Sequence, residues 1–175
     1  MKRFFEYLLK TVFAISLFLA GCQGNAQQQQ QKTMNNNPYY SKTDQTRLNV
    51  DNATWKTILS PELYNVAREA GTQRSFTGTM WDDETKGDYY CAVCGSHLFR
   101  STSKFTSSCG WPSFFEPLKA DNMIYKDDLS LGTHRIEVLC ARCDSHLGHI
   151  FDDGPAPTGK RYCMNAISLD FEPEQ

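Results

Sequence analysis

The sequence predicts a mainly β domain, mostly antiparallel, with short helices confined to its N-terminal side. Three observations point there. From residue 72 onward, glycines and prolines punctuate short runs of aromatic and β-branched residues, such as Tyr89-Tyr90 and Ile136-Glu137-Val138. Helical periodicity occurs only before that point. The 175 residues amount to one domain once the ends are set aside.

The N-terminal end reads as a targeting segment. Lys2 and Arg3 supply a positive start, and residues 12–20 are almost wholly apolar. That run is too short for a bilayer, which needs about 20 apolar residues. Leu19-Ala20-Gly21-Cys22 resembles the lipobox of bacterial lipoproteins. The resemblance implies a signal peptide over 1–21, cleavage before Cys22, and acyl chains on that cysteine. The expected location is the bacterial cell envelope, as a lipid-anchored periplasmic or outer-membrane protein with a soluble domain. An ordinary signal peptide with a chance cysteine, or a short core segment, is the plainer alternative. Residues 27–31 are all glutamine and Asn35-Asn36-Asn37-Pro38 follows. With so little to bury, residues 22–50 are expected to be a disordered tether.

The folded domain is expected over 51–175. Ser60-Pro61-Glu62 combines an N-cap, a proline at the first helical position and an early acid. Leu63, Val66, Ala67 and Ala70 then recur at helical spacing and Gly71 closes the run. Beyond it lie the short strands, the last strand-like run spanning 161–171. Formal net charge is −2. Without residues 1–21 the balance is 15 basic against 19 acidic side chains, about −4. Such a surface gives no footprint for nucleic acid.

Seven cysteines divide by spacing. Cys22 belongs to the anchor, Cys91-Ala-Val-Cys94 and Cys140-Ala-Arg-Cys143 form two pairs, and Cys109 and Cys163 stand alone. Two Cys-x-x-Cys turns supply four thiolates, enough for a closed tetrahedral zinc site if the pairs meet. The interval of roughly 45 residues between pairs exceeds that of a short zinc ribbon, so two distant hairpins would be clamped together. Redox pairs, structural disulfides, or a Cys2His2 site using His146 and His149 remain alternatives on spacing alone.

Arg161-Tyr-Cys163-Met-Asn165 carries the sharpest constellation. On an extended strand these three alternate residues share a face. A guanidinium beside a thiol favours the reactive thiolate, and an amide can orient a polar substrate. The bland alternative is a buried cysteine acting as a small hydrophobe. His146-Leu-Gly-His149 offers an acid near neutral pH, whereas His97 and His134 read as structural. Ser108-Cys109-Gly110-Trp111-Pro112-Ser113-Phe114 reads by itself as a turn whose aromatics plug the core.

Together the segments resemble the B-type methionine-(R)-sulfoxide reductases. The likeness rests on Ser60-Pro-Glu-Leu-Tyr, Tyr90-Cys-Ala-Val-Cys-Gly95, Lys104-Phe-Thr-Ser-Ser-Cys-Gly-Trp-Pro-Ser-Phe114, Cys140-Ala-Arg-Cys-Asp-Ser-His-Leu-Gly-His-Ile-Phe151, Asp153-Gly-Pro155 and Arg161-Tyr-Cys-Met-Asn165. They run in family order over roughly residues 52–173. The resemblance implies two antiparallel sheets with short N-terminal helices, and structural zinc on Cys91, Cys94, Cys140 and Cys143. It implies Cys163 as nucleophile and Cys109 as resolving cysteine, with Trp111 walling the pocket for the substrate methyl group. His149, with His146 nearby, would bind and protonate the sulfoxide oxygen, supported by Arg161, Asp153 and Asn165. The implied partners are peptides or proteins containing methionine sulfoxide and a thioredoxin-type reductant; a monomer is expected. One departure is visible: the family usually has Asp-Ser-Gly where Thr106-Ser107-Ser108 stand here, losing a glycine suited to positive φ.

Overall fold

The computed structural model describes residues 36–78 and 80–174 of the chain. The expected signal peptide, Cys22 and the first part of the expected tether lie outside them. From Asn37 on, however, the chain is packed against the domain, within the unit Asn37–Gln175. The disordered tether expected as far as residue 50 therefore needs a nearer boundary. Hydrogen bonds, which composition does not reveal, supply the order. Buried Asn37 donates its side-chain amide to the Val93 carbonyl at 2.7 Å. The Leu48 N–H donates to the Arg142 carbonyl at 2.7 Å, and the Tyr40 hydroxyl donates to Asp170.

Helix α1 (Asn52–Ile58) begins where Asp51 accepts from the Thr54 N–H at 2.8 Å. Helix α2 (Pro61–Glu69) starts as the sequence predicts, with Ser60 accepting from the Leu63 N–H and Pro61 in the first turn. Leu63, Val66 and Ala67 are its buried face. Ala70 does not belong to that face: it is exposed, in the left-handed conformation, and ends the helix one residue before Gly71. Among the described residues, no helix is long and apolar enough to cross a membrane.

The rest is β, in two antiparallel sheets. The smaller holds β1 (Gly87–Cys91), β2 (His97–Arg100) and β9 (Leu169–Pro173), in the order β2-β1-β9. The larger holds β3 (Lys104–Phe105), β4 (Ser113–Phe114), β5 (Met123–Asp128), β6 (Arg135–Cys140), β7 (His146–Phe151) and β8 (Arg161–Met164), in the order β3-β4-β8-β7-β6-β5. The strand-like run expected over 161–171 is split between the sheets by a turn of 3-10 helix at Ala166–Ser168. Aromatic rings join the layers. Phe99 from the small sheet stacks on Phe114 from the large one, centroids 4.2 Å apart, and Tyr89 meets Phe114 edge-on at 4.9 Å. All three rings are buried, and at such spacings aromatic pairs add to plain area burial.

Candidate active site

Both Cys-x-x-Cys pairs occupy hairpin turns, one between β1 and β2 and the other between β6 and β7. The turns are built alike. The Gly95 N–H donates to the Cys91 carbonyl at 2.8 Å, and the Asp144 N–H to the Cys140 carbonyl at 2.9 Å. Each turn needs one left-handed residue, Gly95 in the first and Asp144 in the second. A Cβ on Gly95 would lie 2.7 Å from the Ser41 carbonyl oxygen, so only glycine admits the N-terminal segment there. Between the turns, buried Arg142 donates to the carbonyls of Cys94, Tyr39 and Thr46.

The four sulfurs lie within 4.8 Å of one another and all four residues are buried, so they could hold one metal ion. Cys91 and Cys143 sulfurs are 3.7 Å apart, and Cys94 and Cys140 sulfurs 3.6 Å apart. A tetrahedron with metal–sulfur bonds of about 2.3 Å has edges of about 3.8 Å, so the set fits a zinc-type centre. Disulfide bonds need about 2.05 Å. The neighbouring sulfurs of Cys140 and Cys143, together with burial, push the Cys91 thiol well above its ordinary value. Only a cation would keep four thiolates together here. His146 and His149 stand apart from this cluster, which removes the Cys2His2 alternative.

Cys163 lies in the middle of the large sheet. In register it faces His149 of β7 on one side and Ser113 of β4 on the other. Along β8 the burial alternates, Arg161 and Cys163 on the more open face and Tyr162 and Met164 in the core. A cavity of about 100 Å³ opens over Cys163. Trp111, Phe151 and Met164 give it apolar walls, while Thr72, Arg135, His149 and Asn165 add polar groups. Such a volume admits the tip of one side chain, a few times the roughly 30 Å³ share of a water. The Trp111 indole N–H donates to the Gln73 carbonyl at 2.8 Å, which fixes that wall.

The sequence-predicted residues do not all reach this cavity. Asn165 lines it, but its amide is committed: Oδ1 accepts from the Gln73 N–H at 2.9 Å and Nδ2 donates to the Leu147 carbonyl at 3.2 Å. Asp153 stands outside, gripping Arg161 through two bonds of 2.8 Å. Arg161 also lies over the Phe151 ring, 4.4 Å from its centroid. Buried His146 sits behind His149, ring centroids 5.4 Å apart, with Nδ1 2.6 Å from Glu137. A carboxylate only accepts, so that contact puts a proton on Nδ1. Burial depresses the His146 pKa against the opposing pull of Glu137, which favours the neutral ring.

Asp128, Arg135 and Glu137 have no motif in the sequence. Strand pairing delivers them from β5 and β6. Asp128 meets His149 Nε2 at 2.8 Å and also holds Arg135. Hydrogen bonds from Ser130, then from His149 and Arg135, keep Asp128 below the ordinary carboxylate range. An acid placed one or two strands from a histidine pair is the signal such residues leave in sequence, and it is a weak one.

Cys109 approaches from the loop between β3 and β4, its sulfur 3.5 Å from that of Cys163. Ser108 in this loop is not left-handed; the positive φ belongs to Gly110, at 79°. The departure at Ser108 therefore imposes no backbone strain. The two thiols are set apart electrostatically. Burial and then the Cys109 sulfur push Cys163 up to about 12, against the downward pull of Arg161. Burial also raises Cys109, but hydrogen bonds from Ser107 and Ser113 outweigh it, so its pKa falls below the ordinary value. The thiolate expected at Cys163 from Arg161 alone is thus not the resting form.

Residues 59–173 match the family model of the SelR domain. The chain is 53% identical over 121 residues to the peptide methionine sulfoxide reductase MsrB of Methanosarcina barkeri, covering 69% of this chain and 85% of that protein. It is 53% identical over 122 residues to the MsrB of Thiobacillus denitrificans, covering 70% and 92%. With the MsrB of Leifsonia xyli subsp. xyli it shares 54% over 121 residues, covering 69% and 87%. The matched span contains the paired thiols, the cavity and the four-cysteine cluster. The chain belongs to the SelR-domain family of MsrB-type methionine sulfoxide reductases.

Proposed function

We propose that this enzyme reduces the R epimer of methionine sulfoxide in peptides to methionine, with Cys163 as nucleophile and Cys109 as resolving cysteine. One observation carries the reading. The Cys163 sulfur meets an aromatic-walled cavity the size of a side-chain tip, flanked by His149 and by a second thiol at 3.5 Å.

The substrate methyl group lies against Trp111 and Phe151, and the sulfoxide oxygen faces His149. His149 is held by Asp128 through Nε2, so the other ring nitrogen serves the oxygen. Cys163 loses its proton as it attacks the sulfoxide sulfur, because its resting form is the thiol. Arg161, clamped by Asp153, stabilises the developing thiolate. A proton delivered at His149 neutralises the oxygen. The oxygen then passes to the Cys163 sulfur: the substrate sulfur–oxygen bond breaks and a bond from that oxygen to the Cys163 sulfur forms. The sulfur–sulfur bond breaks with its electron pair leaving on methionine, so that Cys163 is left as a sulfenic acid. Cys109 then closes a disulfide with Cys163 and water departs. A thioredoxin-type dithiol reduces that disulfide and restores both thiols.

Cys91, Cys94, Cys140 and Cys143 would hold a structural zinc ion, which ties two hairpins together and supplies no chemistry to the reaction. The enzyme acts as a monomer, attached to an envelope membrane through acyl chains on Cys22 and without nucleic-acid partners. Two variants test the thiol roles. Cys163→Ser is expected to be inert with any reductant. Cys109→Ser is expected to release about one methionine per chain, to turn over with dithiothreitol, and to fail with a thioredoxin-type protein. Normal thioredoxin-driven turnover of Cys109→Ser, with no Cys109–Cys163 disulfide in peptide maps of oxidised wild type, would strip Cys109 of its role.

A further inference from the structure

The loop that carries Cys109 contains more than a thiol. The Ser107 hydroxyl is 2.8 Å from the Cys109 sulfur and 2.8 Å from the Ser113 hydroxyl. Ser113 itself reaches the same sulfur at 3.6 Å, and the Trp111 carbonyl, at 3.2 Å, is a second, more distant acceptor for its proton. Each hydroxyl has one proton to give. Ser107 donating to sulfur leaves its oxygen free to accept from Ser113, so the two form a short chain ending on Cys109. A sulfur at the end of such a chain accepts a hydrogen bond that favours the thiolate, in line with the lowered Cys109 pKa.

Ser113 is placed to do this by the sheet. It is fully buried on β4, and its backbone pairs in register with Cys163. The Met164 N–H donates to the Pro112 carbonyl at 3.0 Å, which fixes β4 against β8 on the other side of that pair. One residue thus sits beside the attacked sulfur through its backbone and beside the attacking sulfur through its hydroxyl.

We propose that Ser107 and Ser113 are positioning residues for disulfide closure, holding the Cys109 sulfur as a thiolate aimed at Cys163. In that step the Cys109 sulfur forms a bond to the Cys163 sulfur, and the bond from Cys163 to its hydroxyl breaks. Hydroxide leaves with the electron pair and takes up a proton to become water. The two-electron oxidation that the sulfenic sulfur alone had carried is thereby shared between the two sulfurs of the disulfide. The proposal rests on the reading of Cys109 as the resolving cysteine.

The test uses the full chain, reduced and mixed with one equivalent of a methionine-R-sulfoxide peptide, and quenched at successive times between pH 6 and pH 9. Released methionine and the Cys109–Cys163 disulfide are measured separately. Ser107→Ala and Ser113→Ala are expected to keep the amplitude of one methionine per chain and to close the disulfide about tenfold more slowly, as one lost hydrogen bond to a charged sulfur implies. Their closure rate is expected to recover as pH rises, because a weaker donor set raises the pH at which Cys109 ionises. Ser113→Thr, which keeps the hydroxyl, is expected to restore closure. Ser107 lies in a half-exposed loop, so its variant keeps the test readable should the buried Ser113→Ala misfold. Closure by Ser107→Ala at the wild-type rate with an unchanged pH profile overturns the positioning role alone. A wild-type chain that releases methionine but never forms the disulfide overturns it together with the resolving role of Cys109.

Discussion

At Cys163 two influences oppose each other, and their balance decides which thiol is charged in the resting enzyme. Arg161 favours the thiolate, but burial and the adjacent Cys109 sulfur favour the thiol and prevail. A raised pKa means less thiolate at any given pH, and a lowered one means more. A small alkylating reagent at about pH 8 is therefore expected to modify Cys109 before Cys163, and labelling of Cys163 should keep climbing well above that pH. Peptide mapping of the substrate-free enzyme reads the order directly; preferential labelling of Cys163 would contradict it. The residues at this scale divide by how the chain carries them. The structure gathers Cys163, Cys109, Trp111 and His149 in one place; local motifs singled out Cys163 and His149, whereas Cys109 and Trp111 stood out only through the family resemblance. Asp128, Arg135 and Glu137 were not, because cross-strand pairing delivers them and pairing leaves no local signature. Asn165 was legible as a site residue but not in its task, since its backbone partners at Gln73 and Leu147 are remote in sequence.

Among the elements, the paired hairpin turns and the segment over residues 37–50 form one assembly. The turns were predictable from the repeated Cys-x-x-Cys spacing, and so was the start of α2 from Ser60-Pro61. The packed segment was not, because polar composition hides a run whose order comes from hydrogen bonds to particular carbonyls. It crosses both turns: Asn37 and Ser41 bond the first at Val93 and Cys94, while Arg47 and Leu48 bond the second at Ala141, Asp144 and Arg142. It also precedes residues 59–173, the span matched by the family model. Asn37→Ala would leave the buried Val93 carbonyl without its donor, at a cost of roughly 1–2 kcal/mol. Zinc transfer from the loaded protein to a chromogenic chelator is then expected to run about tenfold faster. Arg47→Ala, which loses a largely exposed ion pair and a solvent-exposed hydrogen bond to the Ala141 carbonyl, should change it little. Equal release rates for Asn37→Ala and wild type would mean that the segment does not guard the cluster.

For the whole molecule, the two sheets share one core, and the cavity opens on the large sheet with none of the four clustered cysteines in its lining. The mainly β class was readable from punctuation and strand-like runs. The partition into a three-stranded and a six-stranded sheet was not readable from periodicity, since it depends on which distant strands pair. Attachment through Cys22 would leave such a domain intact. Cys22→Ser expressed in a bacterial host is accordingly expected to move from the membrane fraction to the soluble fraction with unchanged specific activity. Mass spectrometry of the wild type should find cleavage before Cys22 and acyl chains on it. The central reading, a cavity whose shape and thiol serve one sulfoxide epimer, meets its most direct test in turnover of the separated epimers of a methionine sulfoxide peptide. The measurement uses zinc-replete, reduced enzyme with dithiothreitol as reductant. The R epimer should be reduced over many turnovers and the S epimer negligibly. Equal rates on the two epimers, or no turnover of the R epimer, would contradict it.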